Sequence, residues 1–131
     1  MWNVVTVERF DEWFLLLNEA EQISVLAAIK LLEVKGPHLG RPYVDSLQGA
    51  TKVGNLKELR VQHHGKPYRI FFAFDPRRQA VLLCGGDKTG KKRFYESMMP
   101  VAEHEFFVYL STIQQQQRDE VYHGKTTIGT D

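Results

Sequence analysis

The sequence contains one cysteine, Cys84, so neither an internal disulfide nor a cysteine-rich metal site can form within it. No apolar run approaches the ~20 residues that a membrane span requires. The N-terminus, MWNVVTVERFDEW, lacks the charged-then-apolar layout of a signal peptide. These absences predict a cytoplasmic protein with no membrane contact. Histidines are too scattered to suggest a metal centre: His63 and His64 sit beside Gly65 in a turn, His104 falls in a helical segment, and no ligand spacing links them. No Ser-His-Asp or Cys-His constellation is present, and Cys84 within VLLC reads as a small apolar side chain. No metal and no other cofactor is expected.

What is present is an ordinary globular composition. With 131 residues, 43% hydrophobic and 25% charged, the chain suits one compact domain. That domain is expected over residues 1–115, with 116–131 a polar, flexible C-terminal tail. The net charge of +1 hides a segregation: residues 52–93 hold 11 Lys and Arg against 3 Asp and Glu, whereas both flanking segments are acidic. A basic middle on a nearly neutral protein points to a polyanion such as nucleic acid, a solvated charged face being the plain alternative.

Residues 2–7, WNVVTV, are short and β-branched and predict a strand. Phe10, Trp13, Phe14 and Leu17 then recur at helical steps. Asn18 and Glu21 fit a capping box that opens a second helix ending at Gly36-Pro37. The stretch 36–49 reads as an ordered loop. LKELRVQ, YRIFFAFD and QAVLLCG, joined by turn-like HHGKP and PRR, predict an antiparallel β-meander. A last helix follows from about Lys92, in which Pro100 is expected to make a kink or to start a separate helix. The fold class is therefore α+β: N-terminal strand, helical hairpin, meander, C-terminal helix. Its core is expected from Trp13, Phe14, Leu17, Leu26, Ile29, Leu32, Leu59, Ile70, Phe72, Leu82 and Phe106.

The stretch CGGDKTGKKRFY, residues 84–95, approaches a nucleotide-binding P-loop but is not one. Lys92 stands where Ser or Thr should hold a magnesium ion, and the preceding strand belongs to an antiparallel meander. Lys88, Lys91, Lys92 and Arg93 remain as a cationic, glycine-flexed turn before a helix, a good place to meet phosphates. Alternation along the strands puts Lys57 on one face of the first meander strand and Glu58 and Arg60 on the other. Arg69, in an otherwise apolar strand, needs either an acid such as Glu58 or Asp75 or an anionic ligand.

The segments ELR, YRIFFAFD and GGDKTGKKRFY closely resemble the RelE/HigB superfamily of type II toxins, in its phage-derived branch, and the resemblance spans roughly residues 1–110. It implies a fold similar to microbial ribonucleases and an mRNA interferase activity, often exercised on the ribosome. It also implies neutralisation by a cognate antitoxin, commonly a helix-turn-helix protein through which alone operator DNA would be reached. The resemblance places the superfamily's arginine at Arg69, an earlier basic position at Lys57 or Arg60, the loop cation at Lys88 or Lys91, and the aromatic at Tyr95. Lys66, Arg77, Lys91, Lys92 and Arg93 are the further RNA-binding candidates. The chemistry implied uses no metal: the RNA 2′-hydroxyl attacks its own phosphate, with Arg69 on the phosphate oxygens and Tyr95 as base or stacking platform. A gyrase inhibitor of the ParE-like kind and a phage-derived interaction protein are the alternative readings.

Overall fold

A computed structural model describes residues 1–48 and 54–130, with the side chains of the last helix described as far as Val121. β1 (Asn3–Thr6) leads into α1 (Glu8–Leu15) and α2 (Glu19–Lys35). A 3-10 turn (Gly36–His38) precedes β2 (Val44–Ser46), β3 (Lys57–His63), β4 (Lys66–Phe74), β5 (Gln79–Asp87) and α3 (Phe94–Thr130). The strands form one sheet in the order β1-β5-β4-β3-β2. The class is α+β, as the sequence implies. Among the described residues no helix is long and apolar enough to cross a membrane.

Both sheet faces are covered. Phe10, Val25 and Leu32 of α1 and α2 pack on Leu59, Ile70, Phe72 and Leu82. Phe94, Ala102 and Phe106 of α3 pack on Phe71, Val81 and Leu83. Burial on two faces explains why β4 and β5 read as nearly continuous apolar runs. Phe71 and Phe72 point to opposite layers and are both fully buried, each contributing about 1.5–3 kcal/mol by transfer from water.

Local signals set the frame. Asn18 Oδ1 accepts from the Glu21 amide at 2.8 Å, and the Asn18 amide donates to Glu21 Oε1 at 2.9 Å, completing the capping box. The other Glu21 oxygen accepts from the Tyr68 hydroxyl, tying the start of α2 to β4. His64 and Gly65 have positive φ, 48° and 80°, as a two-residue hairpin turn between right-twisted strands requires. That turn pairs His63 with Lys66 and, further along, Arg60 with Arg69.

The structure departs from the sequence reading in several places. Within the stretch expected as loop, Val44–Ser46 form β2, antiparallel to β3; three residues are too few to show periodicity. β1 runs parallel to β5, so the meander sits inside a mixed sheet. Pro100 lies inside a single helix, and no second helix starts there. α3 continues as helix to Thr130, past the expected domain end, and Gln114 to Val121 are exposed. Leu26, expected in the core, is 52% exposed, because Val25 and Leu32 define the buried stripe of α2 and Leu26 lies about 100° away from Val25 around the helix. Gly49, the last residue of the expected loop, and Asp131 lie outside the described residues.

A β-bulge also escapes the sequence. Phe71 pairs with Cys84 but Phe72 pairs with Leu82, leaving Leu83 as the extra residue. The bulge turns Gly85 toward α1 and Gly86 toward α3. A Cβ on Gly85 would lie 2.5 Å from the Trp13 ring. We expect Gly85→Ala to destabilise the protein by roughly 1–3 kcal/mol through overpacking, measured by urea unfolding; a midpoint equal to the wild type would contradict the packing described.

Candidate functional site

The site is assembled on the sheet face toward α3. Glu58 is opposite Phe71, Arg60 opposite Arg69, and Arg69 opposite Gly86. Strand alternation therefore places Glu58, Arg60, Arg69 and Phe71 on one face. Gly86 has no side chain, and the Phe94 ring fills the space that a Cβ there would meet at 2.9 Å. Tyr95 follows, its ring 6.0 Å from that of Phe71 and 5.4 Å from that of Phe94.

An alternating chain of charge crosses this face. Arg41 Nη2 lies 3.0 Å from Asp45 Oδ2, and Arg60 Nη2 lies 3.2 Å from the same oxygen. Arg60 Nε donates to Glu58 Oε1 at 3.0 Å. Arg69 Nε stands 3.8 Å from Glu58 Oε2, and Arg69 Nη1 donates to the Tyr68 carbonyl at 3.0 Å. Glu58 Oε2 and Arg69 Nε are wholly out of solvent yet neither completes a hydrogen bond. The side chains of Glu58 and Arg69 are only 4% and 11% exposed, so their mutual attraction is weakly screened. Asp75, the other acid considered for Arg69, instead accepts from Tyr109 and Gln79 at the far end of β4.

Tyr95 closes the chain. Its pKa is pushed above the ordinary tyrosine value, first by burial and next by the Glu58 carboxylate it faces, while Arg69 pulls the other way. The phenol is therefore neutral at physiological pH. Lys88 Nζ lies 5.4 Å from the Tyr95 ring centroid. The Lys88 amide donates to the Pro67 carbonyl at 2.9 Å, holding the cationic turn against β4. Gly90, with φ of 67°, gives that turn its bend. Beside the two arginines a cleft of about 480 Å³ opens, bordered also by Ala27, Ala28, Leu31 and Tyr43.

Of the residues singled out from sequence, the structure brings together Arg60, Arg69, Lys88 and Tyr95. Lys91, Lys92 and Arg93 are exposed on the adjoining turn, Arg93 within 3.8 Å of Glu96. Lys57 leaves the opposite face of β3 and donates to Ser46 Oγ at 3.3 Å. Lys66 is exposed at the β3-β4 turn, and Arg77 sits in the β4-β5 turn, at the other end of β4 from Arg69. Sequence reasoning missed Arg41 and Asp45, which only β2 brings alongside Arg60. Cys84 is buried, and burial pushes its thiol up to about 12, which leaves it unsuited to nucleophilic work.

Residues 12–107 match the phage-derived, Gp49-like protein family. The chain belongs to that family. It is 48% identical over 101 residues to a Mycobacterium tuberculosis (strain ATCC 25618 / H37Rv) protein named "Putative toxin HigB3", an alignment covering 76% of this chain and 86% of the relative. It is 39% identical over 110 residues to "Putative toxin HigB2" of the same organism, covering 82% of this chain and 54% of that relative. The resemblance to the HigB-like branch, read from ELR, YRIFFAFD and GGDKTGKKRFY, is upheld. This Gp49-like chain thus carries a cationic cluster arranged around one buried carboxylate.

The environment of Tyr95 has a measurable consequence. Its folded pKa lies above the unfolded value of ~10, so its contribution to stability is present below that pH and is lost as pH rises through the folded value. In tyrosinate absorbance titrations, the ionisation that Tyr95→Phe removes should lie above the ordinary tyrosine value. One at or below it would contradict the burial and the Glu58 contact.

Proposed function

We propose that this chain is the toxin of a type II toxin-antitoxin system and acts as an endoribonuclease on mRNA, engaged on the ribosome. A cognate helix-turn-helix antitoxin is its neutralising partner. The observation that carries the reading is the clustering of Arg60, Arg69, Lys88 and Tyr95 on one sheet face, in a chain whose relatives bear toxin names.

Cleavage by the RNA's own 2′-hydroxyl passes through a pentacoordinate phosphorane carrying extra negative charge, and needs that charge stabilised in place. Arg69 suits this work. It is positioned by the Tyr68 carbonyl and by the Glu58 carboxylate and borders the open cleft, and a guanidinium fork suits two phosphate oxygens. Arg60 stands directly across from it and adds to the local field. Lys88, whose ammonium lies over the Tyr95 ring, protonates the departing 5′-oxygen in this reading. Lys91, Lys92 and Arg93 form an exposed rim that guides the RNA backbone without fixing sequence. Lys57, Lys66 and Arg77 contribute at longer range, through the positive field of the middle segment.

The reading is tested in a translating cell-free extract with RNA ends mapped. Purified protein should produce new mRNA ends carrying a cyclic phosphate and stop translation. Arg69→Ala should slow cleavage roughly 100- to 1000-fold, the usual loss for one oxyanion donor, with circular dichroism unchanged. Translation unaffected and RNA intact would overturn the assignment, and altered DNA supercoiling in the same experiment would point to a gyrase inhibitor instead.

A further inference from the structure

The 2′-hydroxyl must give its proton to some group as it attacks. Tyr95 is the nearest candidate among the residues facing the cluster, but as a neutral phenol it accepts a proton only if it passes its own onward. Glu58 lies behind it. This carboxylate is 3% exposed, and its Oε1 is engaged by Arg60 at 3.0 Å. Its Oε2 lies 3.8 Å from Arg69 Nε and completes no hydrogen bond, while Tyr95, whose ring packs 6.0 Å from that of Phe71 opposite Glu58, faces the same carboxylate. A buried, uncompensated acceptor is costly, by roughly 1–3 kcal/mol, and in a native protein calls for a reason. Contacts that are long in the free enzyme and tighten on the substrate supply one.

We propose that Glu58 is the final proton acceptor of the cleavage step, receiving through the Tyr95 hydroxyl the proton that the attacking 2′-oxygen releases. This rests on the endoribonuclease reading and completes it. On substrate binding Arg69 turns its guanidinium to the scissile phosphate, which leaves Glu58 Oε2 to Tyr95. The 2′-O–H proton moves to Tyr95 Oη as the Tyr95 proton moves to Oε2. The 2′-O–P bond forms and the P–O5′ bond breaks, its electron pair staying on O5′, which takes a proton from the Lys88 ammonium. The products are a 2′,3′-cyclic phosphate and a 5′-hydroxyl end. Glu58 and Lys88 then exchange protons with solvent and are reset.

The groups facing Glu58 come from every element around it: Arg60 on β3, Arg69 on β4, Tyr95 on α3 and, beyond them, Asp45 on β2 and Lys88 on the turn after β5. Asp45 is already shared between Arg41 and Arg60 and stands on the far side of Arg60 from Tyr95. Glu58 is thus the carboxylate positioned for the relay.

Single-turnover cleavage of ribosome-bound mRNA, followed against pH, tests this. Glu58→Gln keeps the size and one acceptor oxygen but takes up no proton. It should cut the cleavage rate at least ~100-fold, abolish the acid limb of the pH profile and leave RNA affinity unchanged. Glu58→Asp should restore part of the rate. Tyr95→Phe should cause a comparable loss, and the double variant should be no slower than the slower single one, since both interrupt one relay. Wild-type cleavage by Glu58→Gln, or losses that multiply in the double variant, would overturn the proposal. If Glu58→Gln melts early, Tyr95→Phe decides the matter, because it leaves the ion pairs intact: a surviving acid limb would refute the relay. Failure of the wild type to cleave RNA overturns the endoribonuclease reading and the proposal together, whereas cleavage undiminished in Glu58→Gln overturns the proposal alone.

Discussion

Arg60 and Arg69 face each other across two central strands, a pairing that repels unless an anion is set between them. Glu58 is that anion. It reaches Arg60 with one oxygen and turns the other toward Arg69, on a side of the sheet where α3 excludes water. Such a buried group yields little net stability while paired, but taking away one partner leaves charge stranded in the interior. The rest of the cluster depends on this one carboxylate. Asp45 repeats the arrangement one strand outward, where Arg41 holds its carboxyl below the usual range by a hydrogen bond. The ladder of alternating sign sets an anionic side chain between neighbouring arginines and so relieves their repulsion.

Precision in the site comes from what the sheet omits. Leu83 as an extra residue reverses the facing of everything after it in β5, and Gly86 then leaves a gap that Phe94 occupies. Phe94 fixes the beginning of α3, and with it the direction in which Tyr95 points. The turn between them is pinned at Lys88 by the Pro67 carbonyl and bends at Gly90. An anchor thus stands at each end of a segment whose middle, Lys91 to Arg93, is exposed.

Much of this was legible in the residues. The change from helical to two-residue periodicity located the meander, and alternation separated Lys57 from Arg60 before any coordinates. The turn-like HHGKP marked the hairpin between β3 and β4, but the two-residue loop at His64 and Gly65, whose register brings Glu58, Arg60 and Arg69 together, is seen only in the structure. What stayed hidden has physical causes. β2 is three residues long and shows no period, so Arg41 and Asp45 had no visible place. A bulge is a property of two strands together, and VLLCGG gives no sign of where the extra residue falls. Leu26 sits in a helix whose apolar residues exceed its buried stripe, and composition cannot choose among them. The meaning of Glu58 required three segments at once.

The parallel contact of β1 with β5 joins Asn3 to Gln79 and Thr6 to Leu82. Because β1 has β5 as its strand neighbour in the sheet, β1 must wait until β5 has been synthesised before it can pair as a strand. Closing so long a loop is slow compared with hairpin formation. The basic face therefore follows a fixed schedule on its way out of the translating ribosome. Its arginines emerge first, the N-terminal strand docks only after β5 has appeared, and Tyr95 arrives after that. A chain interrupted between β5 and its third helix carries the arginines without Tyr95, the residue that completes the cluster.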